Sequence, residues 1–216
     1  MRLRNKRWTD EYIEKNKHKM LDTTHKADLK KLFDNENEVY LEIGCGKGQF
    51  SIESAIKYPN RNFIAMEKEK TVIGVALKKA LEINSQELNN LYFLNSYAEN
   101  LENIFEKNSL GGIYLNFSDP WPKSRHYKKR LTYQSFLEVY FKILKENAII
   151  EIKTDNDDLF NFSIEQAKSS KFEVIYSTTD LYNDFEQLQN NIPTEYEIKF
   201  HKMGKNINKL ILKKCP

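Results

Sequence analysis

Val39-Tyr40-Leu41-Glu42-Ile43 is a short apolar run that breaks into Gly44-Cys45-Gly46-Lys47-Gly48 and resumes as a helical pattern from about Gln49 to Lys57. A strand that ends in closely spaced glycines and turns into a helix brings its backbone against a ligand, because glycine allows both the dihedrals and the approach. The same alternation continues down the chain. Strands are predicted at 62–66, 91–94, 113–117, 148–153 and 172–176, with helices near 70–84, 98–105, 133–144 and 157–168. This is the layout of a mostly parallel sheet with crossover helices, an α/β, Rossmann-like fold. Residues 196–200 and 207–212 flank Gly204 like the arms of a hairpin, which gives the sheet an antiparallel end.

A chain of 216 residues suits one substantial domain. The expectation is a domain over 36–216 and, over 1–35, a basic N-terminal arm that lacks strand character, has room for some helix and is mobile without a partner. With 40% hydrophobic and 30% charged residues, extensive disorder is excluded. No apolar run is long enough to span a bilayer, and the basic N-terminus lacks the apolar stretch of a signal peptide, so a cytoplasmic location is expected. Cys45 and Cys215 are far apart and the four histidines are scattered, so no metal site is expected.

The net charge of +3 conceals segregation. Residues 1–31 carry ten Lys/Arg against five Asp/Glu, residues 123–130 five basic groups and no acid, and residues 199–216 six lysines and no acid. The rest of the chain sums to −13. Three basic clusters on an otherwise acidic chain point to a polyanionic partner, nucleic acid.

Gly44, Gly46 and Gly48 do not make a dinucleotide fingerprint, because the third glycine falls one residue early and Gln49 stands where a small residue is needed. A nucleoside without a pyrophosphate fits better. Glu67, 19 residues after Gly48, lies just past the end of the second strand, where a carboxylate can accept both ribose hydroxyls. Glu42 can neutralise a cationic amino-acid moiety, and S-adenosylmethionine has both groups. Asn95, after the third strand, stands where methyltransferases of this architecture hold adenine, and is equally a plain loop asparagine. Cys45 has no paired base and reads as merely small.

After the fourth strand comes Ser118-Asp119-Pro120-Trp121-Pro122-Lys123, whose prolines impose an irregular loop. In open parallel sheets ligands gather where the strand order reverses, which places this loop at the donor's sulfonium end. Arg125-His126-Tyr127-Lys128-Lys129-Arg130 follows, a basic stretch with an aromatic inside it, suited to phosphate contacts and base stacking.

These residues, with Arg2-Leu3-Arg4, Lys153-Thr154-Asp155 and Thr194-Glu195-Tyr196-Glu197, make the chain resemble the bacterial tRNA (guanine-46-N7)-methyltransferase family over nearly its whole length. The Asp-Pro-Trp-x-Lys-x-Arg-His-x-Lys-Arg-Arg run is the specific part, and Lys129 stands where that family has arginine, keeping the charge but losing the planar fork. The resemblance implies a class I S-adenosylmethionine-dependent methyltransferase with a mostly parallel seven-stranded sheet and an antiparallel C-terminal end. It implies that Glu42, Glu67, Asn95 and Asp119 contact the donor, with Asp119 also catalytic. Lys123, Asp155 and Thr194, Glu195, Tyr196 and Glu197 would contact the guanosine, and residues 125–130 would hold tRNA. Other readings stay open: methylation of another RNA base, for which the amino-group enzymes' Asp-Pro-Pro-aromatic motif is the nearest match, or a non-catalytic RNA-binding module. A nicotinamide oxidoreductase is remote. Monomer and homodimer are both open.

Overall fold

The computed structural model describes residues 8–83 and 88–215, so Arg2-Leu3-Arg4 and the last residue of the helix predicted near 70–84 lie outside the described residues. The chain divides between Glu106 and Lys107 into two compact units, each with its own strands and helices.

The first unit opens with α1 (Trp8–Lys15) and α2 (Leu29–Phe33). Then come β1 (Val39–Ile43), α3 (Gln49–Lys57), β2 (Asn62–Glu67), α4 (Lys70–Ile83), β3 (Leu91–Asn95) and α5 (Leu101–Ile104). The three strands are parallel, with Ile43 opposite Met66 and Glu67 opposite Asn95. Their near-continuous apolar runs follow from burial on both faces: Leu41, Ile64, Ala65, Phe93 and Leu94 are all buried. Residues 8–35, read as an arm, pack onto this unit. Thr9 on α1 is buried so close to α4 that a Cβ at Gly74 would come within 2.8 Å of its Cβ. The Leu21 amide donates to Phe93 O (2.8 Å) and Lys19 Nζ to Leu88 O (2.8 Å).

The second unit contains β4 (Leu110–Asn116), α6 (Gln134–Ile143), β5 (Leu144–Thr154), α7 (Asp157–Lys168), β6 (Phe172–Thr178), α8 (Phe185–Gln189), α9 (Glu195–Lys202) and β7 (Asn208–Lys214). β4 and β5 are parallel, while β7 runs antiparallel to both β5 and β6. The strand order is β3-β2-β1-β4-β5-β7-β6, the mostly parallel seven-stranded arrangement with an antiparallel end.

The predicted hairpin is the one element that fails. Residues 196–200 are helical, part of α9, and the antiparallel partners of β7 are β5 and β6. The cause is local. Thr194 accepts from the Glu197 amide (3.0 Å) while the Glu197 side chain reaches back to the Thr194 amide (3.4 Å), a capping box that nucleates a helix.

Candidate functional site

In the first unit Gly44, Gly46 and Gly48 all have positive φ. Gly48 is needed twice over, since it caps α3 at φ 78° and a Cβ there would lie 2.9 Å from that of Ala76. A Cβ at Gly44 or Gly46 would meet nothing within 4 Å, so that side of the loop is open.

Glu67 Oε2 accepts from the Gly46 amide (3.2 Å) and Oε1 from the Glu69 amide (3.1 Å), which fixes the carboxylate at the end of β2 and leaves lone pairs on both oxygens. Asn95 Nδ2 donates to the carbonyls of Glu67 (2.9 Å) and Lys68 (3.0 Å). Both its donor hydrogens are thereby spent on the loop, and what Asn95 can offer a ligand is the acceptor Oδ1. Three residues singled out in the sequence are thus joined: Gly46 to Glu67, and Glu67's backbone to Asn95. Glu42 is 3% exposed and accepts from Ser51 Oγ (2.5 Å). Burial raises the Cys45 thiol well above its usual range, with the charges of Glu42 and Glu67 adding to the effect, so it stays protonated at neutral pH.

In the second unit β4 leads into a strained loop. Phe117 and Trp121 take φ of 52° and 41°, values that bulky residues avoid, and they bracket the exposed Asp119. Residues 124–129 form a 3-10 helix, on which Arg125, Lys128 and Lys129 are exposed; Lys123, just before it, is exposed too. The ammonium of Lys129 sits 4.8 Å from the Trp121 ring centroid, and His126 meets the same ring edge-on at 5.7 Å.

One residue expected to face RNA is turned inward. Arg130 is 0% exposed: Nε donates to Pro120 O (2.7 Å), Nη2 lies 3.5 Å from Trp121 O and pairs with Asp158, and the guanidinium lies over Tyr127 (3.9 Å) and Phe162 (4.5 Å). Tyr127, half-buried, lies under the Arg130 guanidinium and against Phe162 (5.5 Å). A charge run gives no sign of which member is internal. Phe162 and Asp158, thirty residues on, supply the aromatic and ionic partners, and sequence reasoning missed both.

At the carboxyl end of β5 the Lys153-Thr154-Asp155 motif meets Thr194–Glu197. Lys153 is fully buried and spends its three donors on Glu197 Oε2 (2.6 Å), Asn191 Oδ1 (2.9 Å) and Ile192 O (2.9 Å). Glu197, also 0% exposed, accepts further from Asn191 Nδ2 (2.5 Å) and the Tyr182 hydroxyl (3.3 Å). The expectation that Glu197 contacts guanosine is therefore corrected: its carboxylate is internal and holds α9 to β5. Of the four-residue motif, Glu195 and Tyr196 are exposed and Thr194 is half-buried. Tyr196 lies between Phe117 (5.0 Å) and Phe200 (4.1 Å), and its phenol is raised by burial and by the Asp155 charge. Asp155 is paired at 3.4 Å with Lys205.

The C-terminal lysine cluster is also thinner than it reads. Lys209 pairs with Glu151 (3.2 Å), and Lys214 donates to Asn108 Oδ1 (2.9 Å) and Leu144 O (2.6 Å) with both side chains buried. Among the described residues there is no His/Cys/Asp/Glu group fit to hold a metal, and no helix long and apolar enough to cross a membrane.

The family model Methyltransf_4, described as "Putative methyltransferase", matches residues 36–210. The tRNA (guanine-N(7)-)-methyltransferase of Mesoplasma florum is 57% identical, with 99% of each chain covered. That of Mycoplasma capricolum is 52% identical, again with 99% of each chain covered. Among solved structures, the 16S rRNA methyltransferase KamB superposes with a TM-score of 0.66 at 15% identity, covering 89% of this chain and 96% of its own, a likeness of fold.

Proposed function

Because the chain belongs to the tRNA (guanine-N(7)-)-methyltransferase family, we propose that it transfers a methyl group from S-adenosylmethionine to N7 of guanine 46 in the variable loop of tRNA. The observation that carries this reading is the 57% identity to a so-named enzyme over 99% of both chains. Its setting is the cytoplasm, where tRNA is matured.

The first unit fits the donor. The open side of Gly44 and Gly46 leaves room for a nucleoside, Glu67 keeps lone pairs for ribose hydroxyls, and Asn95 Oδ1 accepts from an adenine amino group. Glu42 supplies a buried negative charge toward the amino-acid moiety. When bound, S-adenosylmethionine supplies an electrophilic methyl on a sulfonium.

Guanine N7 carries its unshared pair in the ring plane and loses no proton on methylation, so the residues are needed for positioning and electrostatics rather than strong base catalysis. Positive charge develops on the purine as the methyl arrives. Asp119, exposed on a backbone that has little freedom to relax, is the carboxylate we assign to stabilise it. Asp155 is the second carboxylate, reading the N1 and N2 donors of guanine, with Tyr196 and Thr194 beside it and Lys123 on a phosphate. Arg125, Lys128 and Lys129 take further phosphates.

Incubation with bulk tRNA and methyl-labelled donor, followed by nucleoside analysis, tests the proposal. Label in 7-methylguanosine is expected. Label in an N6- or N2-methylated nucleoside would favour the amino-group reading, and RNA binding without label a non-catalytic module.

A further inference from the structure

We infer that Arg130 is a positioning residue for methyl transfer: its buried guanidinium fixes the Pro120 and Trp121 carbonyls and thereby the loop that carries Asp119. The inference rests on the function proposed above. A guanidinium presents Nε and Nη2 side by side, and here the fork spans two consecutive carbonyls of one loop, at 2.7 and 3.5 Å, while Nη2 also meets Asp158 at the start of α7. The arginine's own backbone is held as well. Its amide donates to Tyr127 O (3.0 Å) and its carbonyl accepts from the Tyr133 amide (2.9 Å), so the side chain is anchored between the 3-10 helix and α6.

Stability alone does not explain this arrangement. Among the described residues Arg130 Nη1 is buried without a hydrogen-bond partner, and the single carboxylate that meets the guanidinium, Asp158, is 62% exposed, so the buried charge is only partly neutralised. Well-packed apolar residues generally serve a core as well or better. What the guanidinium adds is direction. A bulky residue at φ 41°, just before a proline, persists only where its surroundings over-determine it, and Arg130, with the Tyr127 and Phe162 rings that clamp it, is what touches the Pro120-Trp121 backbone from inside. Asp119 adjoins Pro120, so rotation of that peptide re-aims the carboxylate, and a displacement of about 1 Å in a catalytic group can cost on the order of a hundredfold in rate.

The test compares Arg130→Lys, Arg130→Ala and Asp158→Asn with the wild type. It reads kcat, KM for donor and tRNA, the salt dependence of tRNA binding and thermal stability. Arg130→Lys keeps the charge and loses the fork; kcat should fall at least about tenfold with donor KM within about threefold and the salt slope unchanged. Arg130→Ala should lose more and recover in part with added guanidinium, and Asp158→Asn should fall between. Trp121 emission, read in a Trp8→Phe background, should shift in Arg130→Lys, because the loop moves whether or not the protein turns over. Wild-type kcat in Arg130→Lys would overturn the inference. So would a salt slope flattened by about one unit with kcat intact, the mark of a phosphate contact, or a kcat loss that follows the folded fraction with no guanidinium recovery. A wild type that labels no tRNA while Trp121 emission still shifts would sink the proposed function, and with it the role in methyl transfer, and leave only the hold of Arg130 on the loop standing.

Discussion

Asp119 sits between two residues whose backbones bend against the preference of L side chains, and it is exposed. Asp119→Asn removes the charge at nearly constant shape, so turnover should fall by roughly one to three orders of magnitude, the scale of lost electrostatic stabilisation, with donor KM changing far less. Steady-state kinetics at saturating tRNA would show it, and near-normal kcat would remove Asp119 from the reaction. At this scale the sequence was informative about residue type and place. Glu67 and Asn95 fall at strand ends, close to where the sequence placed them, and the fold sets them opposite each other, with Gly46 bonded to Glu67. It was silent about direction. Arg130 and Lys128 look alike in a run of basic residues, and only Phe162 and Asp158, brought near by the fold, decide that one is internal.

Among the elements, α9 shows how local chemistry overrides propensity. Tyr196, Ile198 and Phe200 read as alternating strand residues, yet Thr194 and Glu197 already carried the capping-box spacing that makes them a helix. Thr194→Ala should cost about 1 kcal/mol in chemical denaturation, the usual worth of a cap. Lys153→Met should cost more, roughly 3–5 kcal/mol, because Glu197 is left buried without its cation; equal losses would show that the pair is not what holds α9. The same region sets an alkaline limit. Tyr176 and Tyr182 are both pushed up to about 12, chiefly by burial, with Asp184 and Glu197 respectively adding to it. The unfolded chain releases these protons near pH 10 while the folded one retains them. The stability from this source is therefore full below pH 10 and is lost as pH rises through about 12. Urea titrations across that window should show a shallower decline in Tyr176→Phe/Tyr182→Phe than in the wild type, and parallel curves would contradict the assignment.

For the molecule as a whole, the α/β alternation was legible because buried parallel strands are continuous apolar runs separated by helices, whereas the strand order came only with the family resemblance. Net charge by segment was legible too, but its exposure was not. Lys209 and Lys214 count toward the C-terminal cluster while their ammoniums are held by Glu151, Asn108 and Leu144. Salt dependence of tRNA binding separates the two kinds of lysine. Alanine at Lys123, Arg125 or Lys128 should each reduce the slope of log K against log salt by roughly one unit, and Lys209→Met should leave it unchanged.

Two tRNA transcripts that differ only in carrying guanine or adenine at position 46, each incubated with labelled donor, test the proposed reaction most directly. Labelled 7-methylguanosine from the first and none from the second is the predicted result. Equal label in both, or label in any other nucleoside, would contradict it.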